Sequence, residues 1–434
     1  MNEEPSHYAL NPSSDLVKRA AKVAKAESAR KGEPKFHMTE EMRRLSTPWS
    51  VSQARAEQIQ AKDLPAGVIL DAAAGSGVQL IALTTGLKRP GLAIELDPNV
   101  GLLCAANMHI VGNQENLQRT MDRVLVGDGI DSENAIVAYW NSLREAGTRA
   151  HPPIGMLHLD PARPRDAQRH EIDEMEPALG PLLKAWANHL ETGPRGPAIL
   201  LDLSPRLNEG QRSLVDAVIE TTFPGIPRTW EYLSQGGGRI DRLSVWIGSL
   251  SSREPSRCVR MGKKNIMATI EGKMAESELV SMSSPPPFGA YLTIVDPALV
   301  QSGLHEAWLD RALPESSGHS WLRLDGRRPL LISTDPLTRD DEIDAFVIAS
   351  GEIVQHRLTP PELHTIEQTA ASAARNGVGK VTLRCNLDPD EHPTLQRRLH
   401  KAMKEFEGEN GFMVDLDLDR GSGSHTLYIV CKEQ

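Results

Sequence analysis

The chain has 434 residues, of which 39% are hydrophobic and 24% charged, and a formal net charge of −10. A negative net charge argues against a diffuse nucleic-acid-binding surface, but it is compatible with local basic patches. The sequence has no apolar run long enough for a membrane span, and its four cysteines lie far apart without zinc-ligand spacing, so we predict no membrane or metal partner and a reducing, cytoplasmic location.

The first 62 residues are predicted to form a helical N-terminal region. Residues 1 to about 14 are polar and predicted to be disordered, and Asp15–Arg30 is rich in Ala, Lys and Arg, which predicts a helix. Between Leu16 and Arg44 there are nine Lys or Arg residues and four Asp or Glu residues. This basic segment is either an arm that faces nucleic acid or an ordinary solvated helix face.

The stretch from Val68 to Pro98 has the pattern of a strand, a glycine turn, a helix and a second strand. Val68–Leu70 is a short apolar run typical of a buried parallel strand, and the turn DAAAGSG follows it. Val78–Leu87 has helical apolar spacing, and Leu92–Ile94 is the second strand. The pattern predicts a βαβ unit.

The glycine turn and the acid that follows it indicate a ligand site. Gly75 and Gly77 permit positive φ and let a ligand approach the backbone, and Glu95 lies 20 residues after Gly75, where an acid can accept hydrogen bonds from ribose hydroxyls. Leu80 occupies the position of the third glycine in the dinucleotide fingerprint, which disfavours a pyrophosphate ligand. We therefore predict a nucleoside-bearing cofactor; the alternative is a βαβ turn that is glycine-rich for structural reasons.

Further strands predict that residues 63–250 form one α/β domain. They are Arg123–Val126, Ile154–Leu159, Ala198–Leu203, Arg228–Leu233 and Arg242–Ile247. Asp128 follows the third strand and is either a ligand contact or a turn former. Asp160 and Pro161 follow the fourth strand, at the sheet edge where open α/β sheets place their reactive groups.

Several stretches together resemble one family. DAAAGSG with IELDP resembles the S-adenosyl-L-methionine (SAM) site of Rossmann-like methyltransferases. With STPWSVSQARAEQI, LHLDPARP, WEYLSQGGGRIDRLSVWIG and GAYLTIVDPALVQSGL, residues from about 40 to 434 resemble the SAM-dependent methyltransferase family with a C-terminal THUMP-like domain. The resemblance implies an α/β, Rossmann-like catalytic domain, a linker and small ferredoxin-like domain over residues 251–326, and a THUMP-like α+β domain over residues 327–434.

The resemblance also implies roles for particular residues. Glu95 would bind the ribose, Asp128 the adenine, and Asp160 the acceptor, with the Pro161 carbonyl orienting it. Amino-methylating enzymes have [DNS]-P-P-[YFW] at this point, whereas this chain has Ala162 and Arg163 in the last two positions. Arg163 is predicted to stack on a base or pair with a phosphate, or else to be a surface residue. The predicted cofactor-binding residues are Asp71, Ala73, Gly75, Gly77, Glu95, Asp97, Asp128 and Gly129, and the predicted catalytic residues are Asp160, Pro161 and Arg163.

The sequence therefore predicts a SAM-dependent methyltransferase that acts on a nucleotide of structured RNA, with tRNA as the leading substrate. Three alternatives stay open: a non-catalytic RNA-binding adaptor on the same fold, a methyltransferase of a small-molecule or protein acceptor, and a nicotinamide-dependent oxidoreductase. The methylated atom and the oligomeric state are not predicted.

Overall fold

The computed structural model describes residues 6–115, 119–161, 172–419 and 424–434. The chain divides into two compact units. The first comprises Met1–Glu231, Arg242–Pro255 and Gly262–Ile266, and the second comprises Tyr232–Asp241, Ser256–Met261 and Met267–Gln434. In the described ranges, no helix is both long and apolar enough to cross a membrane.

The first unit begins with short elements and continues as alternating strands and helices. The N-terminal elements are β1 (Tyr8–Leu10), α1 (Ser14–Val23), β2 (Ala26–Glu27), β3 (Phe36–His37), α2 (Glu40–Leu45) and α3 (Trp49–Gln60). The alternating part comprises β4 (Val68–Asp71), α4 (Val78–Leu87), β5 (Gly91–Glu95), α5 (Pro98–Gln114), β6 (Arg123–Val126), α6 (Ser132–Glu145), β7 (Ile154–Leu159), α7 (Leu179–Trp186), β8 (Thr192–Gly193), β9 (Gly196–Leu203), α8 (Glu209–Thr222), β10 (Arg228–Ser234) and β11 (Arg242–Gly248). The predicted α/β class is confirmed.

The strands of the first unit lie in the order β1-β6-β5-β4-β7-β9-β11-β10. The five central strands, β6 to β9 in this order, pair in parallel, whereas β11 is antiparallel to β9. Chain order runs outward from β4 in one direction through β5 and β6, and then resumes on the other side at β7. Such a reversal opens a crevice beyond the carboxyl ends of the strands, and ligands bind there.

The central strands are buried on both faces, and most of their residues are apolar. Ile69 and Ala93 belong to one hydrophobic cluster with residues of α4 and α5, and α3 packs on α4. Close approach of these helices depends on small residues: a Cβ added at Gly86 would lie 2.8 Å from the Cβ of Ala56. The cluster therefore holds α4, which follows the glycine turn, against β4 and α5.

Two expectations for the N-terminal region are wrong. The segment predicted to be disordered contains β1, which pairs antiparallel with β6. The helix predicted over Asp15–Arg30 is capped by Ser13 and ends at Val23, because Ala24 is extended and the chain then forms the β2–β3 pair. Leu16 and Ala20 of α1 are buried against α5.

The second unit is built around a seven-stranded sheet in the order β15-β16-β14-β17-β20-β19-β18. Its elements are β12 (Ser256–Met261), β13 (Ile266–Gly272), β14 (Tyr291–Val295), α9 (Pro297–Gln301), α10 (His305–Ala312), β15 (His319–Arg323), β16 (Leu330–Ser333), α11 (Asp341–Asp344), β17 (Val347–Arg357), α12 (Ile366–Arg375), β18 (Val378–Leu383), α13 (His392–Ala402), β19 (Glu409–Asp419) and β20 (Ser424–Glu433). All neighbours are antiparallel except β18 and β19. The predicted boundary between residues 326 and 327 falls between β15 and β16, which pair in this sheet.

Candidate active site

The glycine turn lies between β4 and α4, at the point where the strand order reverses. Gly75 has φ 52° and Gly77 has φ 77°, both in the left-handed region that favours glycine. A Cβ added at Gly77 would lie 2.6 Å from the Sγ of Cys104, so packing on α5 requires this glycine. A Cβ at Gly75 would meet no atom within 4 Å, so that side of the turn is open to a ligand.

Glu95 ends β5 and is tied to the glycine turn. Its Oε2 accepts a hydrogen bond from the Gly75 N–H at 2.9 Å, and its Oε1 accepts one from the Asp97 N–H at 3.0 Å. Burial raises the pKa of Glu95, against the effect of these two backbone hydrogen bonds. A carboxylate oxygen has two lone pairs, so a carboxylate held in this way can still accept from hydroxyl groups of a ligand.

Asp97 has a structural role in the helix that follows. Its Oδ1 accepts hydrogen bonds from the backbone N–H groups of Asn99 and Val100, at 2.7 and 3.1 Å. This is the bonding of an N-cap residue, and Asp97 caps α5. Capping of α5 therefore explains an aspartate at position 97 without any contact to a cofactor.

The loop after β6 lies against the glycine turn. A Cβ added at Gly129 would lie 2.2 Å from the carbonyl oxygen of Ala72, and the Gly129 carbonyl accepts from the Trp186 indole N–H at 2.8 Å. Asp128 is exposed, and its Oδ1 accepts from the Ile130 N–H at 2.9 Å. The structure thus brings Asp128 close to the glycine turn, and the same residue also stabilises its own turn.

Asp160 and Pro161 follow β7, the strand next to β4, and both are half-buried. Burial and the negative charge of Asp202 raise the pKa of Asp160 to about 6, against the opposing charges of Arg242, His158 and Arg55. The predicted catalytic residue Arg163 lies outside the described residues. Of the predicted catalytic set, the structure therefore places Asp160 and Pro161 at the carboxyl edge of the central strands.

A buried chain of charged side chains under this edge was not predicted. The His158 ring lies between two carboxylates, with Nδ1 at 2.8 Å from Asp71 Oδ2 and Nε2 at 3.2 Å from Asp202 Oδ2. Arg55, which is 0% exposed, donates to Asp202 Oδ2 at 2.5 Å and to the Ser244 hydroxyl at 2.5 Å. We call Asp71, His158, Asp202 and Arg55 the buried charge network.

The buried charge network contains two acids and two bases that stabilise one another's charged forms. Burial alone would lower the pKa of His158, but Asp71 and Asp202 outweigh it and raise the pKa to about 10. Burial alone would raise the pKa of Asp202, but Arg55 and His158 hold it well below its usual range. Asp71 also accepts from the Ala73 N–H at 3.2 Å, so the network supports the first residues of the glycine turn.

The described residues contain no group of three or more His, Cys, Asp or Glu side chains arranged to hold a metal ion. The features that the structure brings together are an open glycine backbone, a fixed carboxylate at Glu95 and the half-buried Asp160. Gly75 and Glu95 fit a nucleoside-bearing ligand, because one offers space and the other offers acceptors for hydroxyl groups.

No family model and no curated protein matches the chain. Solved structures similar to it include precorrin-6y C5,15-methyltransferase from Geobacter metallireducens GS-15, at 12% identity and a TM-score of 0.30 over 50% of this chain and 94% of that chain. An O-methyltransferase from Bacillus cereus in complex with SAH is 15% identical, with a TM-score of 0.28 over 55% of this chain and 93% of that one. A SAM-dependent methyltransferase from Aquifex aeolicus is 11% identical, with a TM-score of 0.30 over 48% of this chain and 97% of that one. At this level of similarity, the function of this chain has to be argued from its own residues.

Proposed function

We propose that this chain is a SAM-dependent methyltransferase. The observation that carries the proposal is the hydrogen bond between the Gly75 N–H and Glu95, which fixes an acid beside an open glycine turn. The carboxyl end of the adjacent strand β7 places Asp160 at the same edge of the sheet. A donor site and a half-buried acid are the two parts that a direct transfer needs, because such a reaction depends mainly on positioning.

SAM, when bound, supplies a methyl group on a sulfonium that is open to displacement. Gly75 and Gly77 would lie against its methionine part, Glu95 would accept from its ribose hydroxyls, and Asp128 would accept from the exocyclic amine of its adenine. Ala73 and Gly129 belong to the same backbone surface. Asp71 would lie beneath the amino acid part of SAM, since its carboxylate is buried and bonded to His158.

Asp160 is the proposed catalytic residue. Its carboxylate would accept a hydrogen bond from the group that is methylated, with the Pro161 carbonyl as a second hydrogen-bond acceptor. It would then take the proton that this group loses as its bond to the methyl carbon forms. A pKa near 6 suits this role, because Asp160 is then ionised at neutral pH yet basic enough to accept a proton.

The proposed acceptor is a nucleotide of structured RNA, with tRNA as the leading candidate. The resemblance to methyltransferases with a THUMP-like domain supports this substrate, and we propose that the second unit includes the ferredoxin-like and THUMP-like parts. Helix α13 adds support: it buries Leu395 and Leu399, and it exposes the basic side chains of Arg397, Arg398 and Lys401, with Lys404 exposed just after its end. Four buried free cysteines suit the proposed cytoplasmic location.

The test is mass spectrometry of tRNA and rRNA nucleosides from cells that lack the protein and from cells that carry it again. We expect one methylated nucleoside to disappear in its absence and to return with the wild-type chain. Asp160→Asn should fail to restore it, whereas the matched control Asp63→Asn, at an exposed position, should restore it fully.

Three outcomes would contradict the proposal in different ways. Restoration of the nucleoside by Asp160→Asn would remove Asp160 from the chemistry. No missing nucleoside, together with RNA binding but no SAM binding, would favour a non-catalytic adaptor. Labelled methyl found in protein or in small molecules would identify a different acceptor class.

A further inference from the structure

The N-terminal arm, residues 7–10, lies along the edge of the sheet in the first unit. Its strand β1 pairs antiparallel with β6, with Tyr8 opposite Val126 and Leu10 opposite Val124. This register carries His7 beyond the end of β6, to the loop that holds Asp128. His7 and Asp128 are 121 positions apart in sequence, yet they are in contact here. His7 is buried, with only 4% of the residue exposed.

His7 is fitted closely to this loop. A Cβ added at Gly127 would lie 2.1 Å from Cδ2 of the His7 ring, so the ring rests directly on the glycine backbone. The His7 Nε2 lies 3.0 Å from the carbonyl oxygen of Asp128. A carbonyl can only accept, so Nε2 donates to it, while Nδ1 lies 3.0 Å from the Ser6 hydroxyl and 3.8 Å from Asp131 Oδ2.

The same carbonyl closes the turn of the loop. It accepts from the Asp131 N–H at 3.1 Å, and Asp128 Oδ1 accepts from the Ile130 N–H at 2.9 Å. The Asp128 carbonyl therefore has both lone pairs engaged, one by its own turn and one by His7. Loss of the His7 hydrogen bond would leave the Asp128 carbonyl with the bond of its own turn alone, while the loop would keep the Gly127 N–H bond to the Glu95 carbonyl and the Trp186 bond to the Gly129 carbonyl.

The arm is itself anchored. Ser13 caps α1, whose Leu16 and Ala20 are buried against α5, and the Ala24 carbonyl that follows α1 lies 2.6 Å from His37 Nδ1. These contacts hold the arm from its carboxyl side, so His7 is presented to the loop by a fixed element.

We infer that His7 is a positioning residue for base recognition: the N-terminal arm holds the Asp128 loop in the conformation that accepts the exocyclic amine of the cofactor's adenine. The inference rests on the proposed function for the identity of the ligand. Preordering a recognition loop strengthens binding because the entropy of ordering is lost before the ligand arrives.

The test compares full-length His7→Ala, His7→Gln and the control His109→Ala, whose ring bonds the Asn113 side chain of its own helix. Calorimetry with S-adenosylhomocysteine and with S-inosylhomocysteine, which has a carbonyl in place of the amine, measures base preference. We expect His7→Ala to bind S-adenosylhomocysteine about tenfold more weakly, on the scale of one hydrogen bond, and to lose most of the preference for adenine. His7→Gln, whose amide N–H can replace the ring donor, should recover most of both.

Hydrogen exchange of the ligand-free protein provides the second measurement. In His7→Ala the amides of Ile130 and Asp131 should exchange faster, while those of β5 should be unchanged. Unchanged exchange and affinity in His7→Ala would overturn the inference, and so would an equal loss of affinity for the two ligands. If the wild-type chain binds neither ligand, the proposed function fails and the base-recognition role fails with it, while the exchange data still show whether His7 orders the loop.

Discussion

At the scale of single residues, the buried charge network is the feature with the largest energetic consequences. Asp71, His158, Asp202 and Arg55 are each at most 2% exposed, so each charge depends on its partners rather than on water. Removing one member of such a set leaves a buried charge that nothing neutralises, and this costs more than the net value of the ion pair.

Arg55→Met should therefore lower the free energy of unfolding by about 3–5 kcal/mol, because Asp202 would lose its strongest donor while staying buried. Urea titration measures this loss. The matched control is Arg43→Met, which breaks an exposed ion pair with Glu27 and should cost less than about 1 kcal/mol. Equal costs for the two variants would contradict the account of the network.

The histidine of the network predicts how stability depends on pH. The folded protein raises the pKa of His158 from 6.5 to about 10, so between these values the native state keeps a proton that the unfolded chain has released. The contribution of His158 to the free energy of unfolding is fully present below about pH 6.5. It falls as pH rises towards 10, by up to about 1.4 kcal/mol per pH unit. Urea titrations at pH 6.5, 7.5 and 8.5 should show this slope, and His158→Gln should reduce it. An identical slope in both proteins would show that His158 is neutral when folded.

The sequence marked some of these residues and not others. Gly75, Gly77 and Glu95 could be found because they lie within one local pattern of fixed spacing. His158, Asp202 and Arg55 could not, because their contacts join β7, β9 and α3, and no local spacing records a contact over 147 residues. The available signal was a polar residue inside each of two apolar strands, LHL and LDL, which indicates a buried partner without naming it.

At the scale of elements, the βαβ unit was predictable and the edge strand was not. Val68–Leu70 and Leu92–Ile94 were recognised from continuous apolar runs around a glycine turn, and the structure has strands at Val68–Asp71 and Gly91–Glu95. β1 was missed because it has only three residues, and its partner β6 lies more than 100 residues away in sequence. A strand this short becomes stable through pairing, not through local preference.

The start of α4 gives a prediction at this scale. Gly77→Ala should destabilise the protein more than Gly75→Ala, because its new Cβ would collide with Cys104 in addition to straining a left-handed φ. Gly32→Ala is the control for φ strain alone, since Gly32 has φ 91° and open space around it. Thermal unfolding of the three variants should rank Gly77→Ala lowest, with the other two close together; an equal loss in all three would show that packing on α5 is not limiting.

At the scale of the whole molecule, acidic composition and a local basic surface coexist. The chain carries a net charge of −10, yet the exposed side of α13 presents three basic residues, and Lys404 follows just after the helix. The net charge predicts weak non-specific binding of nucleic acid, but it could not locate this basic surface. The position of the surface depends on which side of the helix is buried. The order of the seven strands in the second unit was equally out of reach, because it is set by pairings between distant segments.

The central claim is that the open glycine turn and Glu95 bind SAM, and calorimetric titration tests it most directly. The wild-type chain should bind SAM and S-adenosylhomocysteine but not NAD. Glu95→Gln should bind both sulfur ligands at least about tenfold more weakly, because the variant loses a charged acceptor. Glu145→Gln, at an exposed position on α6, should match the wild type. Binding of NAD in preference to SAM, or unchanged SAM affinity in Glu95→Gln, would contradict the account.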